Sequence, residues 1–289
     1  MNARFVRVPA LLILSVAFSA CGDAEKATPS TPEAMYARAQ ELLKPNVEGQ
    51  SSDFAGAMQL LTSAAEGGLL QAQLDLGGIY LEGGKGVTAD PAIAREWFTR
   101  AAGQGSAEAE FYLGYLLYNG LGCVADKAAA AAHWRKAASA GIGEAQYRLA
   151  HLLLLVPSTQ AEGLELLCKA AAAEAPKLAA QAACDLGNIY AKGQAGVAVD
   201  MTQAAEWYAR AARGGNARAQ LVYAIMLISG DPVPQDTERG LAMLRLSAGQ
   251  DNPQAIALLV NLLRNSDDAE AHEEEADAWS KRLETLRVK

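Results

Sequence analysis

Aromatic residues are scarce in this chain, at 6% of its 289 residues, and runs of β-branched residues are few. β-Strands favour both kinds of residue, because these side chains pack well on a pleated surface. Alanine and leucine supply most of the hydrophobic residues, and both are good helix formers. We therefore expect an all-α fold.

The chain has no excess of basic residues. Its 25 lysines and arginines face 33 aspartates and glutamates, which gives a formal net charge of −8. Loss of a leader that carries Arg4 and Arg7 takes the mature chain to −10, since two positive charges leave (−8 − 2). Nucleic-acid binding needs a basic face. The charge balance argues against a nucleic-acid partner.

The sequence also lacks the motifs that mark common catalytic sites. It has no Gly-x-Ser-x-Gly elbow, no His-Glu-x-x-His pair and no phosphate loop ending in Gly-Lys-Ser/Thr. Of its three histidines, His133 and His151 could come level across a helical hairpin, while His272 lies near the C-terminus. A zinc site needs further ligands. We expect no enzymatic activity, no cofactor and no metal site.

The N-terminal apolar run, residues 8–18, is too short to span a bilayer, which takes about 20 residues. With Arg4 and Arg7 before it, the run has the form of a signal-peptide core. The sequence Phe18-Ser19-Ala20-Cys21 that ends it resembles the lipobox of bacterial lipoproteins, with Phe18 where Leu is usual. The resemblance implies cleavage between Ala20 and Cys21, acylation of Cys21 and, since Asp does not follow directly, sorting to the outer membrane.

Three cysteines remain after Cys21, so at least one is unpaired within the chain. Cys123 matches valines at equivalent positions, which predicts a buried side chain. Cys168 and Cys184 lie equally far from Pro176, and the periplasm permits disulfides. Their repeat positions predict side chains that point apart, so a Cys168–Cys184 disulfide and two free thiols are both open.

An internal repeat dominates the rest of the chain. A pair of small residues closes the same pattern six times, at spacings of 37, 36, 33, 41 and 36 residues. A period of this size is typical of solenoids built from helical pairs. The pairs are Ala64-Ala65, Ala101-Ala102, Ala137-Ala138, Ala170-Ala171, Ala211-Ala212 and Ser247-Ala248.

Each repeat opens with a residue whose side-chain oxygen can cap a helix. A large apolar couple, such as Trp97-Phe98, follows on one helical face, and a Gly-containing turn ends the first helix. Small residues such as Gly77 in the second helix allow neighbouring helices to approach closely. The capping residues are Asp53, Asp90, Asp126, Thr159, Asp200 and Asp236.

These residues resemble the Sel-one-like repeat (SLR) family, an α/α relative of the tetratricopeptide repeat. The likeness is clearest in Glu-Trp-Phe-Thr-Arg-Ala-Ala at 96–102 and Glu-Trp-Tyr-Ala-Arg-Ala-Ala at 206–212, and it extends from about residue 53 to residue 263. It implies a right-handed α/α solenoid of six helical hairpins. Family members look like adaptors for protein complexes and, in some bacteria, neutralisers of secreted toxins.

The pattern divides the chain into five parts, with caps at both ends of the solenoid. The last helix carries an apolar stripe from Ala269 to Leu286, which either docks on the last repeat or forms a dimer seam. The parts are a signal peptide at 1–20, a flexible linker at 21–33, a capping helix and turn at 34–52, the solenoid at 53–265 and a capping helix at 266–289.

Two features are candidate partner contacts. Four basic residues share one position in successive first helices and would form a row, although glutamates nearby neutralise much of it. Leu155 stands at a usually polar site in a turn shortened by three residues, where it either repacks locally or contacts a partner. The basic residues are Arg100, Lys136, Lys169 and Arg210.

The sequence thus predicts a membrane-tethered periplasmic scaffold that binds an envelope protein or peptide through its solenoid surface. An immunity protein that neutralises a periplasm-directed toxin would use the same surface. A cell-wall or β-lactam hydrolase is a third alternative. The chain lacks the one cysteine pair per repeat that the enzyme-like family members carry.

Replacing Cys21 with serine tests the anchor, because acylation requires the thiol. We expect the wild type to incorporate labelled palmitate in cells and to fractionate with membranes, since more than one acyl chain anchors stably. Cys21→Ser should do neither. Equal labelling of the two proteins would exclude Cys21 as the acylation site, and recovery of the lipoprotein in inner membranes would separately overturn the sorting prediction.

Overall fold

The computed structural model describes residues 29–44, 53–84, 86–266 and 268–287. Within them, 14 α-helices follow one another, with one 3₁₀ turn at Pro157–Thr159 and no β-structure beyond the isolated Gly84–Val87 bridge. The predicted all-α solenoid is confirmed. The predicted signal peptide, Ala20, Cys21 and the linker up to residue 28 lie outside the described residues.

The helices alternate with short turns, and most contacts join helices that are neighbours in the chain. None of those described has the combination of length and hydrophobicity that crossing a bilayer requires. They are α1 Pro32–Leu43, α2 Phe54–Glu66, α3 Leu70–Glu82, α4 Pro91–Gly103, α5 Ala107–Asn119, α6 Lys127–Ser139, α7 Gly143–Leu153, α8 Gln160–Ala171, α9 Pro176–Lys192, α10 Met201–Arg213, α11 Ala217–Ser229, α12 Thr237–Gly249, α13 Pro253–Arg264 and α14 Ala269–Arg287.

The chain forms two compact units, residues 1–133 and residues 134–289, which we call the N-terminal and C-terminal units. In the N-terminal unit, α1 to α5 pack in chain order. The C-terminal unit repeats this arrangement from α7 to α14. Because each helix buries its apolar face on its chain neighbours, the core of each unit is a continuous row of small contacts rather than one central cluster.

Aspartate side chains start most even-numbered helices, as predicted. Asp53 Oδ1 accepts a hydrogen bond from the Gly56 N–H at 2.9 Å, and Asp200 Oδ1 accepts one from Gln203 at 2.9 Å. Thr159 departs from the prediction: its Oγ1 donates to the Leu153 carbonyl at 2.7 Å and makes no cap to α8. The hydroxyl instead closes the shortened turn before α8. Asp90, Asp126 and Asp236 cap in the same way as Asp53.

Small residues on five of the odd-numbered helices, α1, α3, α7, α9 and α11, lie against or cluster with a large residue on the next helix. A Cβ added at Gly77 would come within 2.6 Å of Phe98 Cε1, and one at Gly187 within 2.8 Å of Tyr208 Cδ1. Where the small residue is alanine, the large one is leucine and both are buried in one cluster. The alanine–leucine pairs are Ala39 with Leu61, Ala150 with Leu167 and Ala224 with Leu244.

Four extra residues between α8 and α9 form helix rather than loop. They give α9 a length of 17 residues, and the place of a Cβ on Gly143 lies 3.1 Å from Leu178 Cδ2. The added turn therefore packs over the start of α7. At the other end of α7, the shortened turn that leads to α8 leaves Leu155 75% exposed. Leu155 therefore does not repack locally.

The terminal helices use their apolar faces within the chain. In α14, Ala276 is fully buried, and Trp279, Leu283 and Leu286 pack against the cluster formed with α13. These residues form the apolar stripe of α14, for which we predicted either docking on the last repeat or a dimer seam. Their packing within the chain favours docking. At the other end, Ala39 of α1 is fully buried.

A double-mutant cycle tests the size match between Gly77 and Phe98. Gly77→Ala places a methyl group against the ring, a clash of about 1 to 3 kcal/mol that opposes a gain of about 1 kcal/mol in helix propensity. Phe98→Leu makes room for it. We expect urea denaturation to show the double variant to be more stable than the sum of the single changes by at least about 0.5 kcal/mol.

Gly103→Ala is the matched control, because nothing lies within 4 Å of the added methyl group. This change should leave stability equal or raise it. Additive effects of Gly77→Ala and Phe98→Leu would show that the two residues do not constrain each other.

Candidate functional site

Two of the four basic residues predicted to contact a partner interact with tryptophan rings of the chain itself. The Arg100 guanidinium lies 4.5 Å from the ring centre of Trp97. The Arg210 guanidinium lies 5.6 Å from the ring centre of Trp207, and its Nη2 donates to the Ala171 carbonyl at 2.9 Å. Both arginines therefore cover an indole ring of their own helix and are not displayed as isolated charges.

The two lysines of the predicted set are also engaged. Lys169 Nζ lies 2.6 Å from Glu165 Oε1, one turn earlier in α8, and both side chains are more than half exposed. Exposed pairs of this kind contribute little to stability. Lys136 has interactions of its own within the chain. Lys169 borders a cleft between α6, α7 and α8.

Leu155 is one of four exposed apolar side chains on two adjacent turns of the C-terminal unit. The turn before α8 and the turn before α10 are adjacent, because the place of a Cβ on Gly196 lies 3.6 Å from Gln160 Oε1. Gln160 in turn donates to the Leu154 carbonyl at 3.3 Å. We call this surface the apolar edge; it consists of Leu155, Val156, Val199 and Met201, which are all exposed.

The Cys168–Cys184 disulfide is not formed, since both thiols are free. Cys184 is buried in α9, where Asn188 Nδ2 donates to its Sγ at 3.9 Å and burial raises its pKa to about 11. Cys168 lies half-buried on α8, with its pKa raised by burial. Cys123, predicted to be buried, is half-buried as well, with its Sγ 3.5 Å from the Leu121 carbonyl.

An aspartate cluster that the sequence analysis missed joins α7 to α9. Asp185 Oδ2 accepts a hydrogen bond from Tyr147 Oη at 2.8 Å, lies 3.2 Å from His151 Nε2, and Gln181 Nε2 donates to Oδ1 at 3.3 Å. Burial raises the pKa of Asp185, but the hydrogen bonds from His151 and Tyr147 outweigh it and hold the pKa below its ordinary value. Burial likewise raises the pKa of Tyr147.

The N-terminal unit contains the same cluster between α1 and α3. Tyr36 Oη donates to Asp75 Oδ2 at 2.9 Å, Gln40 donates to the same oxygen at 3.2 Å and Gln71 to Oδ1 at 2.9 Å. Each residue lies 110 or 111 positions before its counterpart in the sequence. A comparison of the chain with itself at that offset, rather than repeat by repeat, would have found both clusters.

The histidines have structural partners. His133 Nδ1 lies 2.5 Å from Oε2 of Glu110. In two other repeats the position equivalent to Glu110 is a buried glutamine. Gln73 donates to the Ala65 carbonyl at 3.0 Å, and Gln220 makes the equivalent bond to Ala212 at 3.2 Å. Across the described ranges, no group of three or more His, Cys, Asp or Glu side chains is placed to bind a metal.

The helical pairs and their small contact residues define an α/α solenoid. The chain belongs to the Sel1 repeat family, whose model matches residues 32–69, 70–106, 107–142, 143–174, 180–216 and 217–252. These repeats start on the odd-numbered helices, so α1 counts as part of the first repeat. Sel1 repeat proteins generally act as protein-interaction scaffolds, and no catalytic family is indicated.

Two solved structures share the fold along most of the chain. One is c5321, a protective antigen present in uropathogenic Escherichia coli strains that displays an SLR fold, with 28% identity and a TM-score of 0.70 over 89% of this chain and 54% of that one. This chain thus spans about half the length of that relative. The other is a Sel1 repeat protein from Oxalobacter formigenes, with 24% identity and a TM-score of 0.68 over 80% of this chain and 94% of that one.

A third structure, the immunity protein Pa5087 from Pseudomonas aeruginosa, is 20% identical with a TM-score of 0.43, over 77% of this chain and 84% of that one. That similarity is too low to indicate a shared partner. No curated protein sequence matches the chain.

Replacing Asp185 with asparagine tests the cluster between α7 and α9. We expect the free energy of unfolding at pH 7 to fall by about 1 to 2 kcal/mol, because three donors lose a charged acceptor. The folded pKa of Asp185 lies below the unfolded value, so its contribution is complete above about pH 4 and is lost as the pH falls through the folded pKa. Urea titrations should show the difference from wild type shrinking toward about pH 3.

The matched control is Glu206→Gln, which removes an exposed carboxylate from α10. We expect it to change stability little at either pH. An equal loss for Asp185→Asn at both pH values would contradict a role for the charge.

Proposed function

We propose that this protein is a scaffold tethered to the periplasmic face of the outer membrane through acylated Cys21, and that it binds an envelope protein or peptide through the apolar edge. The observation that carries the proposal is the exposure of Leu155, Val156, Val199 and Met201 on adjacent turns of one unit. Single exposed apolar side chains are common on protein surfaces. Several on adjacent turns favour an interaction site.

Leu155 and Val199 are the most exposed side chains of the apolar edge, at 75% and 62%. The turn before α4 carries Thr88 and Ala89 where the turn before α10 carries Ala198 and Val199, although the turn before α6 also exposes a valine, Val124. The shortened turn holds Leu155 outward while Leu153 and Leu154 supply the inward contacts. Burying one such side chain against a partner contributes about 1.5 to 3 kcal/mol. Leu155 and Val199 together could therefore provide several orders of magnitude in affinity.

The tether would suit this role. From Cys21 to the start of α1 at Pro32 the linker can extend roughly 35 Å, since an extended chain gains about 3.3 Å per residue. A scaffold on such a tether can reach partners near the membrane without inserting into it. The acidic mature chain gives no general attraction to nucleic acid or to anionic lipid headgroups.

A pull-down with paired variants tests the binding surface. A soluble form that begins at Gly22 should recover a defined partner from envelope extract, and Leu155→Asp with Val199→Asp should lose it, because both charges would be buried in the interface. Leu246→Asp is the matched control, since Leu246 is 53% exposed on α12 of the same unit and lies outside the apolar edge. It should bind as the wild type does.

Equal recovery with the paired variant and the wild type would overturn the apolar edge as the binding surface. A partner that proves to be a secreted toxin, neutralised by the soluble form, would replace the scaffold function with the immunity function. Hydrolysis of a β-lactam or of peptidoglycan by the folded protein would replace both with an enzyme.

A further inference from the structure

Tryptophan fills one position in two of the repeats, immediately before the large core residue of an even-numbered helix. Trp97 of α4 is 8% exposed and belongs to a cluster with Ala65 and Leu76. Trp207 of α10 packs in the same way against the cluster that contains Ala171 and Leu186. In both repeats the indole fills the space between its own helix, the preceding even-numbered helix and the odd-numbered helix between them.

The equivalent position in α8 is Leu166, a smaller residue. The surrounding residues are preserved: Ala138 corresponds to Ala65, and Leu149 corresponds to Leu76. Since the walls remain and the side chain between them is smaller, a cleft is left open. Its volume is about 290 Å³, and Ala138, Leu149 and Leu166 all line it. Five polar side chains complete the lining of this cleft, which is open to solvent: Arg135, Ser139, Glu162, Glu165 and Lys169.

A cationic side chain lies beside this cleft, as one does beside each of the two tryptophan rings. Arg100 and Arg210 cover the rings of Trp97 and Trp207. Lys169 holds the same position in α8 and lines the cleft. Its ammonium group is paired with the exposed Glu165, a weak interaction, so it can turn toward a ring in the cleft at little cost. Glu162 and Glu165 on the rim are paired with Arg135 and Lys169, so the rim carries no net charge.

We propose that this cleft, formed by α6, α7 and α8 of the C-terminal unit, receives an aromatic side chain of a partner protein. The ring packs on Ala138, Leu149 and Leu166, and its face lies toward Lys169. The occupant is inferred from the molecule's own repeats, in which an indole beneath a cationic side chain fills the matching space. Aromatic residues in desolvated pockets are common energetic centres of protein interfaces. The proposal rests on the proposed scaffold function and adds to it the chemistry of the partner.

N-acetyl-L-tryptophanamide is the probe for a direct test. Titrated into the ¹⁵N-labelled soluble form, it should produce saturable shifts of backbone amide signals confined to the end of α6 and to α7 and α8. N-acetyl-L-leucinamide should bind about tenfold more weakly, because it fills less of the cleft and gains no cation–π contact. The absence of saturable shifts with the tryptophan probe would overturn the proposal.

Leu166→Trp provides the decisive variant, because it closes the cleft with the residue that α4 and α10 carry at this position. We expect it to abolish probe binding and to raise the melting temperature. Leu246→Trp, which adds an indole at an exposed position of α12, should leave binding unchanged. Undiminished binding to a folded Leu166→Trp protein would overturn the assignment of the cleft.

Lys169 supplies a second variant that does not depend on repacking. Lys169→Arg should retain probe binding, whereas Lys169→Gln should weaken it several-fold, and equal affinities would rule out the cation–π contact. Because the probe replaces the partner, this test is independent of the pull-down. Loss of partner recovery in Leu155→Asp with Val199→Asp, without any probe binding to the wild type, would leave the scaffold function standing and remove the aromatic cleft alone.

Discussion

The structure depends on one steric constraint, the close approach of odd-numbered helices to the even-numbered helices that follow them. Gly77 and Gly187 have no room for a Cβ because the rings of Phe98 and Tyr208 lie where it would be. A smaller partner, leucine, permits alanine instead, as in Ala150 with Leu167. The helix spacing is therefore set by the combined size of two side chains and not by either residue alone. Caps, turns and the terminal helices all follow from repeating this contact along the chain.

Much of the fold could be predicted from the sequence because its signals are local. The period of small pairs, the capping aspartates and the stripe of α14 each depend on residues within a few turns of one another. Thr159 is a case that local sequence signals do not predict. Its residue type fits a helix cap, but in the shortened turn its hydroxyl donates to the Leu153 carbonyl instead. The side-chain contacts of Arg100 and Arg210 could not be predicted from the sequence either. An arginine can pair with a glutamate or cover an indole ring, and the packing around it decides which.

The candidate sites were harder to predict because they depend on differences between repeats. Leu155 was recognised because it replaces polar residues, but its exposure follows from the geometry of a shortened turn. The cleft beside Leu166 required knowing that Ala138 and Leu149 remain in place around it. Both features border α8, which follows the shortened turn and precedes the connection lengthened by four residues. Of the eight large apolar side chains that are exposed in the described residues, four lie on the turn before α8 and at the start of α10.

The hydrogen bonds from Tyr36 and Gln40 to Asp75 have a mechanical consequence. They connect α1 to α3, across the helix between them, at the end of the stack nearest the N-terminus. A pulling force applied through the N-terminal segment would enter the stack at Thr31 and would have to break these bonds, together with the Ala39 contact, before it reached the next helix. The hydrogen bonds to Asp75 therefore set the force at which unfolding would begin from the N-terminal helix.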